Sequence, residues 1–177
     1  DSLAVNGVCL KLTKKDNSQL YFDVLSETLE KTCLAQLSAA QKINLELPLQ
    51  WGQKLNGHFI SGHVDTTALL EKIVAKPSGK HYFFKLKNAY FADFLAPKGS
   101  VAVDGISLTI VSIQGDTFET ALIPLTIALT SLGSKKPGDE VNIEIDLIAR
   151  YLKQMGEWKL KPLKNIYKKL YQWILKK

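Results

Sequence analysis

The stretch Val5-Asn6-Gly7-Val8-Cys9-Leu10 returns as Val103-Asp104-Gly105-Ile106-Ser107-Leu108, and this pair of segments decides the fold. The offset between the two segments is 98 residues. Between residues 2 and 46 the same offset gives ten identical residues without a gap, where unrelated sequences of ordinary composition would share about three. The later matches are Thr28 with Thr126, Thr32 with Thr130, Leu34 with Leu132, Asn44 with Asn142 and Glu46 with Glu144. The sequence therefore predicts two similar domains in one chain.

Each copy combines a tight-turn signal with short apolar runs. Asn6-Gly7 and Asp104-Gly105 are strong hairpin signals. Alternating apolar and polar residues around them predict antiparallel strands in a small barrel or sandwich. Further strands are expected at 43–46, 82–86, 117–123 and 141–144, with a short helix at 89–95.

The two copies are unequal in length. About forty residues, roughly 58–99, precede the motif of the second copy, whereas the first copy begins almost at its motif. A barrel without those strands would leave unpaired backbone edges. Two explanations stay open: the sequence lacks the N-terminal part of the first barrel, or another segment completes it.

The C-terminal tail differs from the rest of the chain. After Asp146 the periodicity becomes helical, first over 147–155 and again after Pro162. Residues 158–177 hold seven lysines and no acid, which leaves 16 basic and 17 acidic residues elsewhere, so the net charge of +6 belongs to the tail. The tail is interpreted as a helix docked on the barrels or on another subunit. The alternative is an amphipathic helix on an anionic membrane.

Several classes of protein are not indicated. The chain has no run of about 18 uncharged apolar residues and no basic-then-apolar start, so neither a membrane span nor an export signal is predicted. Cys9 and Cys33 are expected to be free thiols in a reducing cytoplasm. His58 and His63 lie five residues apart without a third ligand at suitable spacing, so no metal site is predicted.

Five motifs in order give a resemblance to a known family. They are Val-Asn-Gly-Val-Cys-Leu (5–10), Ser-Glu-Thr-Leu (26–29), Gly-His-Phe-Ile-Ser-Gly-His-Val (57–64), Lys-Gly-Ser-Val-Ala-Val-Asp-Gly-Ile-Ser-Leu-Thr (98–109) and Leu-Ile-Pro-x-Thr (122–126). Together they cover about residues 1–150 and resemble the riboflavin synthase family.

The resemblance implies an all-β fold of tandem six-stranded Greek-key barrels with a C-terminal α-helical segment. The corresponding domains would be an incomplete N-terminal lumazine-binding barrel at 1–47, a C-terminal lumazine-binding barrel at 48–146 and a helical, basic tail at 147–177. It also implies a cytoplasmic homotrimer whose sites lie between the first barrel of one subunit and the second barrel of another, and an association with lumazine synthase.

The family's reaction is a transfer of a four-carbon unit between two molecules of 6,7-dimethyl-8-ribityllumazine. It yields riboflavin and a ribitylamino-pyrimidinedione without a metal or other cofactor. A duplicated chain suits this reaction, because two related pockets can hold two identical heterocycles against each other and give each a different role.

The resemblance implies five catalytic residues: Cys9, His63, Ser107, Lys98 and Asp146. Cys9 and Ser107 occupy equivalent positions of the repeat and would both face bound lumazine. The competing interpretations are a buried, apolar role for Cys9, a strand-end hydroxyl for Ser107 and a hydrogen-bonded structural role for His63. His58 is assigned a structural role.

The implied substrate-binding residues fall into two sets, and many of them would act through backbone groups. The first-barrel set is Cys9, Leu10, Lys11, Asp23, Val24, Leu25, Ser26, Glu27 and Thr28. The second-barrel set is His63, Val64, Asp65, Lys98, Ser107, Leu108, Thr109, Leu122, Ile123, Pro124, Leu125, Thr126 and Ile127. Two positions depart from the family pattern: Lys11 stands where threonine is usual, and Leu125 stands where a polar or acidic residue is usual.

Two other functions are retained as alternatives. A relative of the same fold could bind a lumazine or flavin without converting it. A basic membrane- or nucleic-acid-binding protein is the third reading, and it depends on the tail alone.

Overall fold

The computed structural model describes residues 1–156, which are built mainly from antiparallel strands. The first copy contains β1 Ser2–Val5, β2 Val8–Asp16, β3 Gln19–Phe22, helix α1 Ser26–Lys31, a 3-10 turn at Cys33–Gln36 and β4 Leu45–Glu46. The second contains β5 Thr66–Lys76, β6 Gly79–Leu86, a 3-10 helix at Ala89–Phe94, β7 Ser100–Val103, β8 Ile106–Gln114, β9 Thr117–Leu122, helix α2 Pro124–Leu129, a 3-10 turn at Ser131–Ser134 and β10 Glu140–Ile145.

These elements confirm most of the predicted strands, and one of them is shorter than expected. The strand predicted at 43–46 pairs only at Leu45 and Glu46. The helix predicted at 147–155 is present as helix 147–156, after a first compact unit that spans Asp1–Asp146. The second tail helix, predicted after Pro162, lies outside the described residues.

The second copy forms a closed six-stranded barrel with the strand order β10-β5-β6-β9-β8-β7. All of its strand pairs are antiparallel. The register shifts between Leu70 and Lys72 and between Ile110 and Ser112, and such bulges increase the local twist that a small barrel needs to close. The predicted barrel is confirmed for this copy.

The first copy is an open sheet of four strands in the order β3-β2-β1-β4. Each of these strands, like α1, starts at or near the position 98 residues before its counterpart in the second copy. The hairpin β5–β6, which bridges β10 and β9 in the second barrel, has no counterpart here among residues 1–156. The second copy is thus the closed six-stranded barrel that the fold class predicts, and within the described residues the first copy is a second, open sheet.

Alternation along the strands builds the core of the closed barrel. Tyr82, Phe84 and Leu86 of β6 point inward, and the ring of Phe84 lies 5.4 Å from that of Phe118 on β9. Close packing of large apolar side chains on one face is the main source of stability in such a barrel.

The open sheet has a smaller core. Val5, Val8 and Leu10 are buried together, and Val64 packs against them from the segment that precedes β5. This contact brings the segment that connects the two copies, residues 47–65, back onto the first sheet. We call it the connecting segment.

The two hairpin turns pack directly against each other. Asn6 and Gly7 both have positive φ, as do Asp104 and Gly105, which is the conformation of the tight turns that Asn-Gly and Asp-Gly favour. A Cβ at Gly7 would lie 2.5 Å from the backbone nitrogen of Gly105. The close approach of the two backbones therefore requires glycine at this position.

Asn142 on β10 joins the second copy to the first. Its side-chain oxygen accepts from the backbone N–H of Cys33 at 2.7 Å, and its side-chain nitrogen donates to the carbonyl of Asn6 at 2.9 Å. The residue is 1% exposed, so these backbone groups are satisfied without water.

Asn44 makes the matching contacts from the first copy to the second. Its side-chain oxygen accepts from the backbone N–H of Ser131 at 2.8 Å, and its side-chain nitrogen donates to the carbonyl of Asp104 at 2.9 Å. Because Asn44 and Asn142 are identical residues of the repeat, the two copies are joined by a symmetric pair of side chains.

Among residues 1–156, no helix is both long and apolar enough to cross a membrane.

Replacing Asn142 by alanine should lower the free energy of unfolding by about 1–3 kcal/mol or more, because it leaves buried backbone groups of Cys33 and Asn6 unpaired. The exposed Asn56 provides a matched control, and Asn56→Ala should change the free energy by less than about 0.5 kcal/mol. Urea unfolding of both variants measures the difference. Equal losses would contradict the proposed role of Asn142.

Candidate active site

Cys9 lies on the accessible face of the first sheet. On β2 the side chains of Val8 and Leu10 are buried, and alternation turns Cys9 outward. The alternative of a buried, apolar Cys9 is therefore wrong. Both cysteines are free thiols, as predicted.

A cleft of about 280 Å³ opens beside Cys9. We call it the first-barrel cleft, and its lining residues are Val8, Cys9, Glu27, Thr28, Lys31, Thr32, Gly62, His63 and Val64. It combines a thiol and an imidazole with aliphatic side chains and with the charged side chains of α1. The sequence predicts five of these residues as site residues: Cys9, Glu27, Thr28, His63 and Val64.

His63 and Val64 reach this cleft because the connecting segment is anchored there. The backbone N–H of Cys9 donates to the carbonyl of Gly62 at 2.9 Å. A Cβ at Gly62, whose φ is +80°, would lie 2.5 Å from that of Cys9. The sequence groups His63 and Val64 with the second barrel, whereas in the structure both residues line the cleft of the first.

Glu144 fixes the same turn from the second barrel. Its carboxylate accepts from the backbone N–H and the hydroxyl of Ser61, both at 2.7 Å, and from the N–H of Gly62 at 2.9 Å. Three donors to one buried carboxylate form a strong, directional anchor. The sequence pointed to Glu144 only as a repeat identity with Glu46.

Ser107 occupies the position of Cys9 in the second copy and contacts a histidine. Its hydroxyl oxygen lies 2.7 Å from Nδ1 of His58. A Cβ at Gly57, whose φ is +100°, would lie 2.5 Å from the same oxygen, so glycine allows the segment to approach. His58, for which the sequence predicts a structural role, therefore lies in contact with a predicted site residue.

The environment of His58 favours the neutral imidazole. Burial lowers the pKa of His58, while the carboxylates of Asp146 and Glu144 oppose this shift. A neutral imidazole can accept a proton from the Ser107 hydroxyl through Nδ1. The carboxylate of Asp146, predicted as a catalytic residue, partly offsets the lowering of the His58 pKa.

A second cleft of about 420 Å³ extends between the first sheet and the connecting segment. Cys9, His58 and Gly62 all line it, together with apolar residues of the segment such as Leu49 and Phe59. Cys9 therefore borders both clefts, and the second one reaches from Cys9 to the histidine of the other copy.

Some predicted binding residues turn their side chains away from solvent. Leu10, Leu108 and Leu122 are buried in the cores, so their backbone groups alone are available to a ligand. The carboxylate of Asp65 accepts from the backbone N–H of Ile145 at 2.8 Å, which holds β10 beside the connecting segment. These four side chains contribute to the fold.

Other predicted residues are accessible but lie outside the lining of both clefts. Lys98 has a φ of +67° in the turn before β7, where its N–H donates to the carbonyl of Ile110. Lys11 and Thr109 are exposed on β2 and β8, two residues beyond Cys9 and Ser107. The stretches 23–26 and 123–127 lie at equivalent places, at the starts of α1 and α2.

A short signal in the sequence points to the residues that were missed. Gly-His occurs at 57–58 and again at 62–63. The structure places the first pair against Ser107 and the second pair against Cys9. The two Gly-His pairs thus serve the two equivalent positions of the repeat. Within residues 1–156, no three histidine, cysteine or acidic side chains are grouped so that they could hold a metal ion.

Comparison with known proteins defines the class first. Residues 1–48 and 61–146 match the lumazine binding domain family. The fold is similar to that of LumP complexed with 6,7-dimethyl-8-(1'-D-ribityl) lumazine, with a TM-score of 0.71 over 81% of this chain and 76% of LumP, at 23% sequence identity.

The particular family follows from closer relatives. The riboflavin synthase of Chlamydia pneumoniae is 45% identical over 147 residues, which are 83% of this chain and 71% of that protein. The riboflavin synthase of Bacillus subtilis (strain 168) is 41% identical over 152 residues, 86% of this chain and 70% of that protein. The chain belongs to the riboflavin synthase family.

The two thiols should differ sharply in reactivity. Burial raises the pKa of Cys33 to about 12, whereas Cys9 is exposed. Because the thiolate is the reactive form, a disulfide reagent at pH 8 should modify Cys9 in the native protein and leave Cys33 unmodified. Mass spectrometry of the wild type and of Cys9→Ser tests this. Rapid native modification of Cys33 would contradict the structure.

His58 should make stability depend on pH. Its ordinary pKa is about 6.5 when the chain is unfolded, and burial lowers the pKa in the folded state. The unfolded state therefore binds more protons below about pH 6.5, and the free energy of unfolding should fall as the pH is lowered from 7 towards 5. The His58→Gln variant should lose less stability over this interval. Parallel losses in urea unfolding would contradict the assigned environment.

Proposed function

We propose that this protein is a riboflavin synthase that converts two molecules of 6,7-dimethyl-8-ribityllumazine into riboflavin and a ribitylamino-pyrimidinedione. One molecule gives a four-carbon unit to the other. The two products together contain all the atoms of the two substrates, so the balanced reaction requires no added oxidant or reductant. Membership of the riboflavin synthase family supports this proposal.

The observation that carries the proposal is the pairing of an exposed thiol and of a half-buried hydroxyl with one histidine each. Cys9 and Ser107 are equivalent residues of the repeat; His63 lines the cleft beside Cys9, and His58 contacts Ser107. A reaction between two identical heterocycles needs two related sites of this kind. Holding both reactants in place can lower the barrier by about 7 kcal/mol or more.

The chemistry assigns a role to each type of group. A base must remove a proton from the acidic 7-methyl group of one lumazine, and the neutral imidazole of His58 is suited to accept a proton near neutral pH. A nucleophile must add to a lumazine ring and later leave. The Ser107 hydroxyl, hydrogen-bonded to His58, and the Cys9 thiol are suited to this step.

The remaining expected site residues complete the proposal. His63 orients or protonates the ligand in the first-barrel cleft, and Asp146 tunes His58 by its charge. Lys98 is assigned to the site by resemblance to the family. We assign the backbone groups at the starts of α1 and α2 to the recognition of the pteridine edge.

The proposed assembly is a cytoplasmic homotrimer. Its productive site would combine the first barrel of one subunit with the second barrel of another, and an association with lumazine synthase would deliver the substrate. The resemblance of the sequence to the family is the support for this assembly. Measuring the mass of the native particle in solution tests whether the protein is a trimer.

Incubating the protein with the lumazine and following riboflavin by fluorescence tests the function. The wild type should form riboflavin and the pyrimidinedione in equal amounts. Ser107→Ala and His58→Gln should lower kcat by about a hundredfold or more, since a positioned acid or base contributes at least that much. The exposed Ser18 provides a control, and Ser18→Ala should retain full activity.

Tight binding of the lumazine without riboflavin would overturn the proposal in favour of a non-catalytic lumazine- or flavin-binding protein. Full activity of both site variants would remove the roles assigned to Ser107 and His58.

A further inference from the structure

The two copies differ in polarity on one pair of equivalent helices. Helix α1 spans Ser26–Lys31 and helix α2 spans Pro124–Leu129, so their bounds correspond at the repeat offset. Glu27 and Lys31 lie one turn apart on α1, and both line the first-barrel cleft. The equivalent residues of α2 are Leu125 and Leu129.

On α1 the two side chains form an ion pair at the cleft. Nζ of Lys31 donates to Oε1 of Glu27 at 2.5 Å. The hydrogen bond from Lys31 lowers the pKa of Glu27, and the same contact raises the pKa of Lys31, so both stay charged over a wide pH range. An exposed carboxylate and an exposed ammonium group offer acceptors and donors to a ligand that carries several hydroxyls.

On α2 the same two positions offer no hydrogen bond. Leu125 is 62% exposed and Leu129 is 75% exposed. Ile123, just before α2, is exposed as well. A polyol held against such side chains would lose hydration without gaining partners, and this carries a free-energy cost.

The proposed substrate contains both kinds of chemistry. Its heterocycle is flat and is matched by the aliphatic side chains, thiol or hydroxyl, and histidine found beside Cys9 and Ser107. Its ribityl chain carries hydroxyls that require polar partners. A site built to bind hydroxyls strongly rejects an analogue that lacks them, whereas an apolar site discriminates weakly.

We propose that the two copies recognise different parts of the substrate. The first-barrel cleft selects the ribityl chain through Glu27 and Lys31. The equivalent surface of the second copy, with Leu125 and Leu129, binds the heterocycle and accepts lumazines almost regardless of the substituent at N8. This inference rests on the proposed function. It makes these four residues the determinants of specificity for the ribityl chain of the substrate.

Calorimetric titration of the full chain tests the proposal with two probes that lack the reactive 7-methyl group, 6-methyl-7-oxo-8-ribityllumazine and 6,8-dimethyl-7-oxolumazine. The wild type should show two classes of site. One class should prefer the ribityl compound by about tenfold or more, and the other should bind both compounds with similar affinity.

Two double variants assign these classes to the two helices. Glu27→Leu with Lys31→Leu should abolish the ribityl preference of the selective class. Leu125→Glu with Leu129→Lys should create a ribityl preference in the other class. The exposed ion pair Lys14–Asp16 lies outside both clefts, so Lys14→Leu with Asp16→Leu serves as the matched control and should leave both ratios unchanged.

Unchanged ratios in both helix variants would overturn the inference, provided that protection of the buried Cys33 thiol shows each variant to be folded. Altered folding of one helix variant leaves the other as the test. Riboflavin formation by the wild type is measured separately: turnover with unchanged ratios defeats this inference alone, whereas the predicted ratios without turnover defeat the proposed function and retain the inference.

Discussion

The reciprocal hydrogen bonds of Asn44 and Asn142 are the constraint on which the structure depends. Each asparagine side chain leaves its own copy and satisfies buried backbone groups of the other. Unpaired groups of this kind are costly, so the two copies are held in one relative arrangement. Gly7 and Gly105 complete the junction, because their turns approach too closely to admit a side chain.

This arrangement determines where the connecting segment can run. Glu144, on the strand that also carries Asn142, anchors the turn at Ser61 and Gly62. The turn then presents His63 beside Cys9, while the preceding Gly-His pair reaches Ser107. One segment therefore supplies a histidine to each copy, beside Cys9 in the first and beside Ser107 in the second. The two places differ in the neighbouring helix.

Much of the fold could be predicted from the sequence, because its decisive signals are local or periodic. The sequence itself contains the Asn-Gly and Asp-Gly turns, the alternation of the strands and the constant offset of the repeat. The path of the connecting segment could not be predicted in this way, since it depends on the contacts of Glu144 and on glycines that allow close approach. For that reason the sequence did not indicate that His58 contacts Ser107 or that His63 lies beside Cys9.

The predicted site residues likewise divide into those that the repeat indicates correctly and those whose side chains point elsewhere. The pairing of Cys9 with Ser107 followed from the repeat, and in the structure Cys9 is exposed whereas Ser107 is half-buried. Leu10 and Leu108 follow directly after them on their strands, and simple alternation places both side chains in the cores. Carrying a family pattern over by position does not separate backbone contacts from side-chain contacts.

We propose above all that both copies bind a lumazine at equivalent positions. A crystal structure of the protein with a non-reactive lumazine analogue tests this claim most directly. We expect one heterocycle against Cys9 and His63 and another against Ser107 and His58. A ligand confined to one copy, or bound away from both nucleophiles, would contradict it.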